Sequence, residues 1–137
     1  MVAAILEAAD EVVVAAGGVI AGGHTIRNPE PVFGLAVQGL VSTGRHFTKG
    51  GVRLGDRILL SKPLGTGLVL AGDDRQQVAA VTAGMRELNR AASEALVAHH
   101  DLVHAVTDVT GFGLLGHGFE MAERSGVTLE LEAAAAL

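Results

Sequence analysis

Every long apolar run in this chain is cut short by glycine or proline. Residues 12–23 and 31–44 carry no charge, but both are shorter than the ~20 residues a membrane-spanning helix needs. Short apolar runs of this kind build short buried elements joined by tight turns, or backbone that a ligand approaches closely. The chain has 19 glycines in 137 residues, about twice the usual share of roughly 7%. Hydrophobic residues make up 49% and charged residues 18%. Such a chain is too apolar and too lightly charged to be disordered. Its glycines follow no G-X-Y period, so it is not collagen-like either.

Composition removes further classes. The chain has no Cys, so these residues hold no disulfide framework, zinc knuckle or catalytic thiol. The formal net charge is −5, with 10 Lys and Arg against 15 Asp and Glu. The basic residues do not cluster, which argues against binding nucleic acid through its phosphates. Aromatics are only 3%, all Phe, too few for a base-stacking platform. The N-terminus lacks a basic region, and Glu7, Asp10 and Glu11 interrupt any apolar stretch a signal peptide would need. The expectation is a soluble cytoplasmic protein with no membrane or nucleic-acid partner.

Periodicity predicts a helix over residues 1–16, with Ile5, Leu6, Ala9, Val12 and Val13 at helical spacing and Gly17-Gly18 as the stop. Residues 19–21 read as a short buried strand, and 33–41 (FGLAVQGLV) as a second, apolar on both faces. Residues 42–56 are polar and Gly-rich, the best linker candidate. A strand over 57–61 and a short helix over 68–71 follow. Residues 74–98 then read as one long helix, with Val78, Val81, Met85, Leu88, Ala92, Ala95 and Leu96 on one stripe. A strand over 102–106 leads through a loop into an amphipathic helix over 114–124. Gly126 caps that helix, and 127–131 (VTLEL) alternates as a half-exposed strand before a run of alanines, 133–136. The pattern is a mixed α/β, or α+β, chain. It reads as parts of two domains, with residues 1–41 ending one and 57–137 starting the next, and both ends look cut.

Chemistry concentrates in a few places. In TDVTGFGLLGH, residues 107–117, a strand delivers Asp108 just before a glycine-rich turn into a helix. A carboxylate there suits Mg²⁺, and the backbone N–H groups beside it suit phosphate oxygens. The plainer reading is that Asp108 caps the turn. Gly111, Gly113 and Gly116 also spell the dinucleotide pattern G-x-G-x-x-G, with Glu130 after the next strand. Asp108 would then crowd a pyrophosphate with negative charge, which counts against that reading. Gly22, Gly23 and His24 end the first strand and would let a ligand meet bare backbone beside an imidazole, or simply form a glycine turn. Lys62-Pro63-Leu64-Gly65-Thr66-Gly67 is no P-loop, because its Lys precedes the glycines. His99, His100, Asp101 and His104 invite a metal, but His at a helix end has an ordinary dipole role.

Together these blocks resemble selenophosphate synthetase, the selenide, water dikinase family. The carrying residues are GGHTI (22–26), Pro29-Glu30-Pro31, FGLAV (33–37), KPLGTG (62–67), Leu88-Asn89 and TDVTGFGLLGH (107–117), in matching order and spacing along nearly the whole chain. The last block is highly specific. GGHTI with Pro29-Glu30-Pro31 separates the chain from related ATP-using proteins such as aminoimidazole ribonucleotide synthase and thiamine-phosphate kinase.

The resemblance implies the end of a ferredoxin-like ATP-binding half that dimerises through its sheet, then the start of an α+β half of the aminoimidazole ribonucleotide synthase-like fold. It implies a homodimeric enzyme that turns ATP, selenide and water into selenophosphate, AMP and phosphate, with Mg²⁺. By position, Asp108 resembles the family's Mg²⁺-binding Asp, and Gly22, Gly23 and His24 an ATP-contacting segment. The family's glycine-rich segment with its catalytic Cys (or selenocysteine) and Lys has no counterpart here, so the 137 residues alone are expected to be inactive. A noncatalytic nucleotide-binding or dimerisation module, and another ATP-dependent synthase or kinase of the wider group, stay open as alternatives.

Overall fold

The computed structural model describes residues 1–72 and 74–132. The terminal alanines read from the sequence lie outside the described residues. The chain divides into two units, Met1–Val41 and Ser42–Leu137.

The first unit is built on one helix, α1 (Val2–Ala15), as the periodicity predicts. Ile5, Ala9 and Val13 are its half-buried positions, spaced four apart on one face. The chain leaves it at Ala16, whose N–H still reaches Val12 O. Residues 18–41 then run without helix or paired strand, broken by a bend at 29–30 where Asn28 Nδ2 donates to Glu30 O at 2.8 Å.

The second unit holds α2 (Thr66–Ala71), α3 (Arg75–Arg86), α4 (Arg90–Ala98), a 3₁₀ turn (His100–Leu102) and α5 (Gly113–Ser125). Asp74 starts α3 with its Oδ1, which accepts from the Gln76 and Gln77 N–H groups at 2.9 and 3.2 Å. α2 packs against α3. α5 ends at Ser125, and Gly126 follows at φ +65 with its N–H turned back onto Ala122 O and Glu123 O. This is the glycine cap that the sequence predicts.

Two expectations need correction. The long helix over 74–98 is two helices, α3 and α4, with Glu87 extended between them at ψ 123. A lysine from outside the helix meets the carbonyls at the break. Lys62 Nζ donates to Gly84 O and Glu87 O, and Gly84 O is the acceptor a continuous helix would have given to the Leu88 N–H. A cation at the end of α3 also suits the helix dipole.

The second correction concerns strands. The segments 19–21, 33–41, 57–61, 102–106 and 127–131 were expected to pair, but no ladder forms among the described residues. A buried strand needs neighbours for its backbone groups and both its faces, and these segments do not find them within either unit. The nearest approach to pairing is one bond from the Val106 N–H to Thr48 O at 2.9 Å. Val127 and Leu129 are still half-buried while Thr128 and Glu130 are exposed, so the alternation survives without the ladder. The start of 102–106 is taken by the 3₁₀ turn, in which the Val103 N–H bonds His100 O.

Among the described residues no apolar side chain is fully buried. Leu40 and Leu59 are at 105% and 92% exposure, residues the sequence places in strands. The sole buried residue among those described is polar: His117, at 6% exposure.

Candidate functional site

His117 sits in the second turn of α5, inside the block that carries Asp108. The Thr110 carbonyl accepts the Gly113 N–H at 2.8 Å, which folds the loop into the first turn of α5. Gly116 lets the Phe112 side chain lie flat on the helix, since a Cβ there would come within 2.6 Å of Phe112 Cβ. That contact explains the glycine without a dinucleotide. The Phe112 and His117 rings are 5.9 Å apart.

His117 makes two polar contacts, and a third extends them. Its Nε2 lies 3.1 Å from Thr110 Oγ1, and its Nδ1 lies 3.1 Å from Glu120 Oε2. The same Glu120 oxygen takes Lys49 Nζ at 2.8 Å. First the Lys49 ammonium, then the His117 ring, holds the Glu120 carboxyl below its ordinary range. α5 therefore has two faces. His117 and Glu120 lie on one, and Leu115, Phe119 and Ala122 on the other, where with Val127, Leu129 and Leu131 they line a groove of about 440 Å³.

Residues 48–56, within the stretch read as a linker, pack into the second unit. Ser125 Oγ accepts the N–H groups of Gly51 and Val52, both at 3.1 Å. Asp56 accepts the Arg53 N–H at 2.8 Å and meets His104 Nδ1 at 2.8 Å. The Arg53 N–H first, and then His104, hold the Asp56 carboxyl below its ordinary value.

The residues singled out from the sequence stand as follows. Asp108 is exposed at the start of the glycine-rich loop, two residues from Thr110, and none of the described residues bonds its carboxylate. Gly22, Gly23 and His24 belong to the first unit, where they are exposed in a segment without helix or paired strand, and a Cβ on either glycine would meet nothing within 4 Å. Lys62 caps α3. The histidines weighed as a metal cluster separate: His100 stacks near Phe47 with ring centroids 5.1 Å apart, and His104 pairs with Asp56. No group of three or more metal-ligating side chains forms among the described residues.

Sequence reasoning passed over Lys49, Asp56, Glu120 and the bonding of His117. The spacing of His117 and Glu120, three apart on a helix, was a usable signal. Lys49 gave none, since its partner lies 71 residues away.

A single carboxylate at the mouth of such a loop fits Mg²⁺, which takes one or two carboxylates and leaves its other positions to water and phosphate oxygens. Comparisons with known proteins place the chain in a family. Residues 53–136 match the family described as AIR synthase related protein, C-terminal domain. The chain belongs to this family. It is also similar to curated proteins. One is "Selenide, water dikinase 2" of Peptoclostridium acidaminophilum, 43% identical over 132 residues, covering 93% of this chain and 38% of that protein. Another is "Selenide, water dikinase" of Myxococcus xanthus (strain DK1622), 46% identical over 124 residues, 85% of this chain and 35% of that protein. A third, of the same name, from Paraburkholderia xenovorans (strain LB400), is 40% identical over 133 residues, 93% of this chain and 37% of that protein. The chain thus spans little more than a third of the length of the curated relatives it matches. No solved structure matches it. None of the helices among the described residues is long and apolar enough to cross a membrane.

Proposed function

We propose that this chain is part of an enzyme that makes selenophosphate, AMP and phosphate from ATP, selenide and water. The observation that carries the reading is the similarity to proteins named selenide, water dikinase over 85–93% of the chain, Asp108 and its loop included. Of ATP's two terminal phosphoryl groups, one ends on selenium and the other on water. Such transfer depends on positioning and charge neutralisation more than on covalent help from the protein.

In this reading Asp108 offers a hard oxygen ligand at the phosphate end of the nucleotide. Asp108 would hold Mg²⁺ there, and the ion would supply charge neutralisation at the phosphate oxygens. The loop after Asp108 brings backbone N–H groups to the same place. Gly22, Gly23 and His24 contact ATP, the glycines by leaving the backbone bare and His24 as a hydrogen-bonding ring. Residues 1–41 belong to a ferredoxin-like half that dimerises through its sheet, 42–56 join it to the next half, and 57–137 begin that α+β half. A homodimer in the cytoplasm fits these features. The exposed leucines of segments expected to be strands fit a chain whose sheet is completed by further polypeptide. Since the chain holds no Cys, the family's thiol or selenol comes from outside these residues.

The test is a chimera in which these residues replace the matching segment of the Myxococcus xanthus relative. The chimera should release AMP from ATP only when selenide and Mg²⁺ are present, and the isolated chain should not. Asp108→Asn should lower the chimera's rate at least about a hundredfold, the scale of losing an electrostatic group at the reacting phosphates. A folded chimera that works equally well with Asp108→Asn contradicts the role given to Asp108.

A further inference from the structure

The role proposed for Asp108 leaves the most enclosed side chain among the described residues unused. His117 is 6% exposed, and both of its ring nitrogens are engaged, on Thr110 and on Glu120. We infer that His117 is a positioning residue that holds the Asp108 loop against α5 through the Thr110 hydroxyl, with its tautomer set by Glu120 and Lys49.

The hydrogen positions follow from the partners. The Glu120 carboxylate accepts only, so Nδ1 must carry the hydrogen it shares with Glu120 Oε2. A neutral ring then presents Nε2 as an acceptor, and the Thr110 hydroxyl donates to it across 3.1 Å. Lys49 keeps the arrangement from swinging, because its ammonium bonds the same Oε2 at 2.8 Å. This is the pattern of a carboxylate orienting an imidazole, with the imidazole's other nitrogen left to do the work. Here that work is done on a loop.

Thr110 is tied twice to α5. Its carbonyl accepts the Gly113 N–H, and its hydroxyl reaches His117 one turn further on. Asp108 lies two residues before this anchor; the Thr107 hydroxyl donates to its carbonyl at 3.3 Å, but none of the described residues bonds its carboxylate. Its direction therefore depends on the Thr110 anchor. The route begins at Lys49, 71 residues from Glu120 in sequence, so the segment before the second unit's first helix reports on the loop through α5. His117 has no free nitrogen to serve as a metal ligand or a proton carrier, so a positioning role is what its bonding allows.

That Asp108 is a cation ligand is taken from the proposed function, and the experiment separates the two. The full chain, with ¹⁵N in its histidines, is studied by NMR at a pH high enough that the imidazoles are neutral. The expected His117 signature is a protonated Nδ1 and a bare Nε2, and Glu120→Gln should blur it. A ring protonated on Nε2 alone, or averaged between the two forms, overturns the inference. Amide exchange of residues 108–111 gives the second readout. Thr110→Val and His117→Asn should each speed it roughly tenfold, the size of one hydrogen bond. His117→Gln, whose amide reaches the Nε2 position, should stay near the wild-type rate. A merely structural histidine would not distinguish Gln from Asn. If a His117 variant unfolds, Thr110→Val decides: unchanged loop exchange overturns the inference. Mn²⁺ binding, read by electron paramagnetic resonance as a stand-in for Mg²⁺, should weaken in His117→Asn and vanish in Asp108→Asn. Binding untouched by Asp108→Asn would remove Asp108 as the cation ligand, while the tautomer and the exchange rates still decide whether His117 positions the loop.

Discussion

Thr110 Oγ1 and His117 Nε2 meet at 3.1 Å across the first turn of α5, and that bond joins the loop carrying Asp108 to the most enclosed side chain described in the protein. Behind it stand Glu120 and Lys49. The network is polar where a domain of this composition would ordinarily be apolar. Within it only the His117 ring is buried, and turning that ring away would leave its nitrogens without partners.

The first prediction concerns acid. Lys49 and His117 lower the pKa of Glu120, so its contribution to stability is complete above its unfolded value and is lost as pH falls through the lower, folded one. The same sign holds for Asp56, which the Arg53 N–H and His104 hold down. A carboxyl ¹³C titration should give midpoints below the ordinary 4.5 for Glu120 and below 3.8 for Asp56. Lys49→Ala should move the Glu120 midpoint upward and leave Asp56 alone. A Glu120 midpoint that ignores Lys49→Ala would contradict the network.

The second prediction concerns the start of α3. Asp74 Oδ1 accepts two N–H groups there, from Gln76 and Gln77. Asp74→Ala should cost about 1 kcal/mol, whereas Asp74→Ser should restore most of it. Amide exchange across Arg75–Arg86 is the measurement, and equal rates in the two variants would show that the cap does not matter.

A third follows from Gly51. Its φ is +119, and a Cβ there would lie 2.6 Å from the His104 carbonyl oxygen. Gly51→Ala should therefore separate 48–52 from 104–106 at a cost of roughly 1–3 kcal/mol. Exchange of the Val106 amide, which bonds Thr48 O, should speed at least about tenfold. Unchanged exchange at Val106 would mean the two segments are not held by this contact.

How much of this was legible in the sequence depends on how local each feature is. α1, α2, α5 and the Gly126 cap follow from patterns within a few residues of one another, and the sequence predicts them. The break in the long helix over 74–98 leaves no mark in the apolar stripe, and the carbonyls at it, Gly84 and Glu87, are met by Lys62 from 22 and 25 residues away. The expected strands failed for a related reason. An apolar run such as FGLAVQGLV states that both faces want cover, but pairing needs neighbours, and neither unit supplies them among the described residues. At the site, Asp108 and its loop stand out in the sequence as a block. The anchoring of that loop does not, since it depends on Lys49 arriving from 71 residues away.

The central claim is that these residues serve an enzyme that puts a phosphoryl group on selenium. The most direct measurement is phosphorus NMR of the Myxococcus xanthus chimera with ATP, Mg²⁺ and selenide. The account predicts a product with phosphorus bonded to selenium, formed together with one AMP and one free phosphate per ATP consumed. A folded chimera that leaves ATP intact, or that splits it without forming a phosphorus–selenium bond, would contradict it.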